Sequence, residues 1–281
     1  MARVLHRRGR AEAAEAASPH RWALSLWART FRRVGRPVIV SRHVRRFCRP
    51  FTVEGSEHFA ALRGPALIVA NHTSHFDTVI VLGLLPDELY GRVAVAAAAD
   101  RFYKDAIKGP WLSLRYNAYP IARGGGSAAL AYSEWLLQSG WSILIFPEGH
   151  RSRTGELLPF HPGPAILALR QHVPVLPIYI QGAGEILQPG TKRSRPAPVR
   201  ACIGEPLTLD GISDVGEATA AIEAAVRPAR AAAPRAGRSD DLAATTDYSC
   251  GGGPVLYDIR AMEPARQTSV GPRKQFAYLR N

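Results

Sequence analysis

Six short runs without acidic residues constrain this chain more than any other feature: 66–70 (ALIVA), 93–97 (VAVAA), 118–121 (AYPI), 142–146 (SILIF), 175–180 (VLPIYI) and 199–203 (VRACI). A strand with one wet face alternates apolar and polar side chains, whereas runs this continuous must be covered on both faces. Between them, 78–85, 128–138 and 165–171 follow helical spacing, and 217–226 reads as a closing helix. Strands alternating with helices predict an α/β fold, with a mostly parallel central sheet flanked by helices. In such sheets ligands collect beyond the carboxyl ends of the strands.

Charge divides the chain into unequal parts. Residues 1–50 carry thirteen Arg and two Glu, while the other 231 residues carry 23 Lys or Arg against 21 Asp or Glu. The net charge of +13 therefore belongs to an N-terminal arm, 1–50, and not to the domain that follows, 51–228. Within the arm Leu24, Trp27, Phe31 and Val34 share one helical face, with Arg29, Arg32, Arg33 and Arg36 elsewhere around it. Such an amphipathic arm suits a bilayer interface, with rings at headgroup depth and arginines against anionic lipid. It equally suits a helix packed on its own domain with its arginines solvated. Nucleic acid is not an expected partner, because the basic residues do not extend into the domain. Residues 229–281 are rich in Ala, Pro, Gly and Arg without sustained periodicity, and read as a disordered tail.

No apolar run approaches the ~18–20 residues that span a bilayer, and no apolar stretch with a small-residue cleavage site follows the basic N-terminus. Cys48, Cys202 and Cys250 lie far apart without a CxxC pair, which predicts reduced thiols and a location on the cytoplasmic face of a membrane, peripheral or monotopic.

Two polar constellations follow strand ends. In Asn71-His72-Thr73-Ser74-His75-Phe76-Asp77 a histidine is followed by a carboxylate in the first turn of the next helix. Asp77 can accept from one imidazole nitrogen of His72 and leave the other free to take a hydroxyl proton. His72, His75 and Asp77 are also ligand types for a metal, but no later cluster completes a set, so no metal is expected. In Phe146-Pro147-Glu148-Gly149-His150-Arg151-Ser152 an arginine stands beside a glycine and hydroxyl donors, a good clamp for a phosphate. Arg123, after the strand 118–121 and before Gly124–Gly126, offers a second cation, and Val173-Pro174-Val175-Leu176-Pro177-Ile178 brackets a strand with prolines.

In this order the four blocks resemble the glycerolipid (lysophosphatidate) acyltransferase family, whose pattern is NHxxxxD, an aromatic-Ile-x-Arg block, FPEGTRS and Val-Pro-Val-x-Pro. The blocks run from Asn71 to Ile178, and the wider similarity covers about residues 51–210. The resemblance implies that His72 is the general base and Asp77 its orienting partner. It implies that Arg123 and Arg151 hold the acceptor's phosphate, with Glu148, Gly149 and Ser152 shaping the acceptor site. The donor would be acyl-CoA or acyl-carrier protein, the acceptor lysophosphatidate or a related lysolipid, with no cofactor and no covalent acyl-enzyme. The family also has an N-terminal two-helix membrane-docking element, which the arm matches. Two positions depart from the pattern: His150 stands where the family has Thr, and His161 where it has Lys. Both lie near the expected acceptor site and leave open a different acceptor, one outside the glycerolipids, or a catalytically silent lipid-binding relative.

Overall fold

A computed structural model describes residues 19–122, 126–187, 191 and 193–227, and beyond them the backbone of three two-residue strands. A 3-10 turn, Arg21–Leu24, leads into α1 (Leu26–Arg36), a π-helical turn (Pro37–Ser41) and α2 (Arg42–Phe47). The chain then enters β1 (Cys48–Glu54) and, after a 3-10 turn, β2 (Leu67–Ala70), α3 (Phe76–Leu84), α4 (Asp87–Tyr90) and β3 (Val93–Ala98). Next come α5 (Ala99–Phe102), α6 (Lys108–Tyr116), β4 (Ala118–Ile121), α7 (Ala131–Gln138) and β5 (Ser142–Ile145). The chain continues through α8 (Gly163–Gln171), β6 (Val175–Gln181), α9 (Ala183–Ile186), β7 (Ala197–Ile203) and α10 (Val215–Val226).

The sheet order is β1-β7-β6-β2-β5-β3-β4, and every neighbouring pair is parallel except β6 with β7. Val255–Leu256 pairs antiparallel with β1 at the outer edge, and Ala229–Arg230 pairs with Tyr248–Ser249. The rest of the expected tail lies outside the described residues.

Successive strand residues point to opposite faces, and β2 shows the result. Leu67 and Val69 join a core with Ile143, Ile145, Leu136 and Leu167, under α7, α8 and α10. Ile68 and Ala70 join a second core with Leu144, Ile178, Ile80 and Leu82, under α3. All four residues of β2 are fully buried, as continuous apolar runs require.

The arm is not separate from this body. Val40, Val44 and Cys48 are fully buried in the core beneath α3, and a boundary at residue 50 cuts through β1. The sequence hides this strand because it mixes Arg49 and Pro50 into the end of the basic run. Cys48 is a free thiol, as expected, whereas Cys202 is disulfide-bonded, against the expectation of reduced thiols throughout.

The helix α1 packs on the domain without burying its apolar side. Its apolar residues Leu26, Trp27, Phe31 and Val34 are exposed, and Ala28 and Arg32 are buried. Leu24 leaves this face because Ser25 is extended and breaks the helix before α1. Arg32 donates to the carbonyls of Ala23 (2.7 Å), Ser113 and Leu114 (3.4 Å each). Burial lowers its pKa to about 10, so it stays cationic at neutral pH. Arg29 donates to the Gly91 carbonyl. Arg36 pairs with Asp87, lies over the Tyr90 ring, and donates to the carbonyls of Leu82, Gly83 and Leu85. These carbonyls belong to the C-terminal end of α3, where helix carbonyls lack intrahelical partners. Three of the four arginines thus fasten the helix to the domain, Arg33 stays exposed, and the apolar side faces outward.

Candidate active site

The carboxyl ends of β2, β3 and β5 open at one edge of the sheet, and the polar constellations meet there. Asn71 ends β2 with a reciprocal amide bond, its Nδ2 donating to the Ile180 carbonyl (2.9 Å) and its Oδ1 accepting from the Ile180 N–H (2.7 Å). This anchors the turn that presents His72.

Asp77 is fully buried in the first turn of α3. Its Oδ2 accepts from His72 Nδ1 (2.9 Å), Thr73 N (2.7 Å) and Ser74 N (2.8 Å). A carboxylate can only accept, so Nδ1 carries the hydrogen and Nε2 is left as the basic nitrogen. The imidazole is stacked on Phe146, with ring centroids 4.3 Å apart and 24° between planes. Ring position and tautomer are both fixed before any substrate arrives.

The loop after β5 grips the His72 backbone from the other side. Glu148 Oε1 accepts from His72 N (2.5 Å) and Oε2 from Leu158 N (3.0 Å), while Ser152 N donates to the His72 carbonyl (2.8 Å). Burial raises the pKa of Glu148 above the usual carboxylate value, opposed by these N–H donors. Glu148 is 1 % exposed and Ser152 3 %. Through these bonds both residues hold the His72 backbone in place. Ser152 Oγ also accepts from Gly155 N (3.1 Å). Gly149 sits at φ 68°, in the left-handed region where a side chain would be strained.

Arg151 is half-buried on the same loop. Burial lowers its pKa, the neighbouring cations Arg101 and Arg153 lower it further, and Asp77 opposes them. Arg101 and Arg153 are thus near enough to Arg151 to act on its charge. The sequence reading missed Arg101. It lies just past the carboxyl end of β3, the same kind of position that singled out Arg151. Arg123 lies outside the described residues. His75, His150 and His161 are exposed around the site, and His75 packs edge-on to Phe102 (5.9 Å between centroids). Among the described residues, no group of three or more His, Cys, Asp or Glu side chains could hold a metal ion.

A buried carboxylate thus fixes one histidine, beside Arg151, at the carboxyl ends of parallel strands. Residues 50–181 match the family model described as Acyltransferase. The chain is 33% identical over 168 residues to 1-acyl-sn-glycerol-3-phosphate acyltransferases of Limnanthes douglasii and Cocos nucifera, covering 57% of this chain and 56% and 51% of theirs. It thus spans little more than half the length of these curated relatives. The crystal structure of the 1-acyl-sn-glycerophosphate acyltransferase PlsC from Thermotoga maritima is similar with a TM-score of 0.56 and 26% identity, covering 71% of this chain and 76% of that one. Residues 50–181 thus match an acyltransferase domain, and the chain is similar in sequence and fold to glycerolipid acyltransferases.

Proposed function

We propose that the protein transfers a fatty acyl chain from a thioester donor, acyl-CoA or acyl-carrier protein, to the free hydroxyl of lysophosphatidate or a closely related anionic lysolipid. The observation that carries this reading is the buried Asp77 carboxylate on His72 Nδ1, which leaves Nε2 as the base. His72 Nε2 takes the hydroxyl proton as the oxygen attacks the thioester carbonyl. The C–S bond then breaks, the thiolate leaves, and the imidazolium returns the proton to sulfur. Asp77 stabilises the imidazolium between these steps, and the net exchange is one ester formed for one thioester lost.

Arg151, Arg101 and Arg153 favour an acceptor with a phosphate near the reacting hydroxyl, since guanidinium groups bind phosphate oxygens bidentately. This favours an anionic headgroup despite His161 standing where the family has Lys. The exposed aromatic side of α1 favours work at a membrane surface containing anionic lipid, on the cytoplasmic face and without insertion of a span. No helix among the described residues is long and apolar enough to cross a membrane.

The test is thiol release from acyl-CoA and acyl-carrier protein with a panel of lysolipids, comparing wild type with His72→Ala. Acceptor-dependent release that is lost in the variant is the expected result. Equal release by both proteins would rule out His72 as the base. No release with any lysolipid would leave a silent relative or a non-glycerolipid acceptor.

A further inference from the structure

The large exposed apolar side chains among the described residues are Trp22, Leu26, Trp27, Phe31, Val34, Val38, Ile107 and Trp111. Six belong to the N-terminal arm. The other two lie at the start and in the first turn of α6, a segment of the domain itself, where Ile107 is 80% and Trp111 54% exposed. Positions four apart lie on one side of a helix.

The arm and α6 are joined at several points. Arg32 donates to the Ser113 and Leu114 carbonyls, and His20 Nδ1 lies 3.0 Å from Ser113 Oγ. The His20 ring packs between Trp22 and Tyr103, at 5.6 and 5.7 Å between centroids. The segment leading into α6 also reaches the active site, since Arg101 neighbours Arg151 electrostatically and Phe102 packs against His75. One stretch of chain thus runs from the headgroup cations, past the base of the arm, to Ile107 and Trp111.

We propose that α6 supplies a second lipid-docking surface, through Ile107 and Trp111, beside the active-site mouth. This rests on the lipid-surface reading above and adds a domain element to it. The occupant is an anionic bilayer. Tryptophan suits headgroup depth, where its ring is buried and its N–H stays wet. The exposed cations Arg33, on α1 packed against α6, and Lys104, just ahead of α6, complement anionic headgroups. A second copy of the chain would bring the same cations against them.

The test is co-sedimentation of the full chain with phosphatidylcholine vesicles, with and without phosphatidylglycerol. The expected result is that Ile107→Ser/Trp111→Ser weakens partitioning onto the anionic vesicles by about tenfold or more. Ile107→Leu/Trp111→Phe should restore most of it. Wild-type partitioning by the serine pair, or no vesicle binding by the wild type, would overturn the proposal. So would a wild-type dimer that dissociates in the serine pair without vesicle binding, which would assign the face to a second copy. The readout is partitioning and not turnover, so a protein without acyl-transfer activity still gives a clear answer.

Discussion

The active site and the N-terminal arm both bury charged groups, and they do so to opposite ends. At the site the buried carboxylates Asp77 and Glu148 accept N–H bonds and fix His72, whose side chain remains 16% exposed. In the arm the buried cation Arg32 donates to carbonyls, and what remains exposed is the apolar side of α1. In one region a buried charge organises a polar group for chemistry; in the other it frees an apolar surface. The difference teaches that the accessible face of an amphipathic helix is decided by the partners available to its polar residues. Here carbonyls near the ends of α3 and α6, with those of Ala23 and Gly91, capture the arginines.

The largest effect expected is at the base. His72→Ala should lower turnover by roughly 1000-fold, the middle of the range for general acid–base catalysis, without changing the midpoint of thermal unfolding. A loss of folding would mean that the site's buried bonds depend on the ring. Next, Arg32→Met should destabilise the fold by about 3 kcal/mol in chemical denaturation, because carbonyls that accept from a charged group lose their donor. A change below about 0.5 kcal/mol would break the comparison, since it would make the arm's buried cation dispensable.

Arg151→Ala should raise the acceptor KM by roughly 10- to 100-fold, with the donor KM nearly unchanged. Glu148→Gln should lower kcat by about tenfold and leave the acceptor KM within about twofold, because one of the two N–H donors would face an amide N–H. A rise in KM with kcat preserved would place Glu148 at the acceptor site, as the sequence reading has it. The smallest effect belongs to Arg33→Ala on the exposed side of the arm. It should change stability by less than about 0.5 kcal/mol and weaken binding to anionic vesicles slightly.

The two regions were not equally legible in the sequence. His72 and Asp77 are five residues apart across one strand–helix turn, so their pairing could be read locally. The tie from Glu148 to His72 N crosses 76 residues and depends on β2 lying beside β5, which spacing alone does not give. The six strands read from apolar runs all formed, because such runs leave few alternatives to burial on both faces. β1 was missed because Cys-Arg-Pro-Phe-Thr-Val-Glu pairs with β7 and only a two-residue strand, and keeps polar residues. α6 was missed because Gly109 and Pro110 in its first turn mask its periodicity. The orientation of α1 could not be read, since its moment gives the direction of the apolar side but not what lies on either side.

The place of β1 in the sheet also bears on how the chain is made. Cys48 pairs with Ala197 and Glu54 with Cys202, so an element that leaves the ribosome early must wait for one that leaves late. In that interval the aromatic residues just ahead of β1 have emerged while the sheet edge that receives the strand does not yet exist. A nascent chain in this state exposes apolar surface well before its fold can close. A nearby bilayer, or a chaperone that holds apolar segments, would therefore meet the arm before the rest of the domain does.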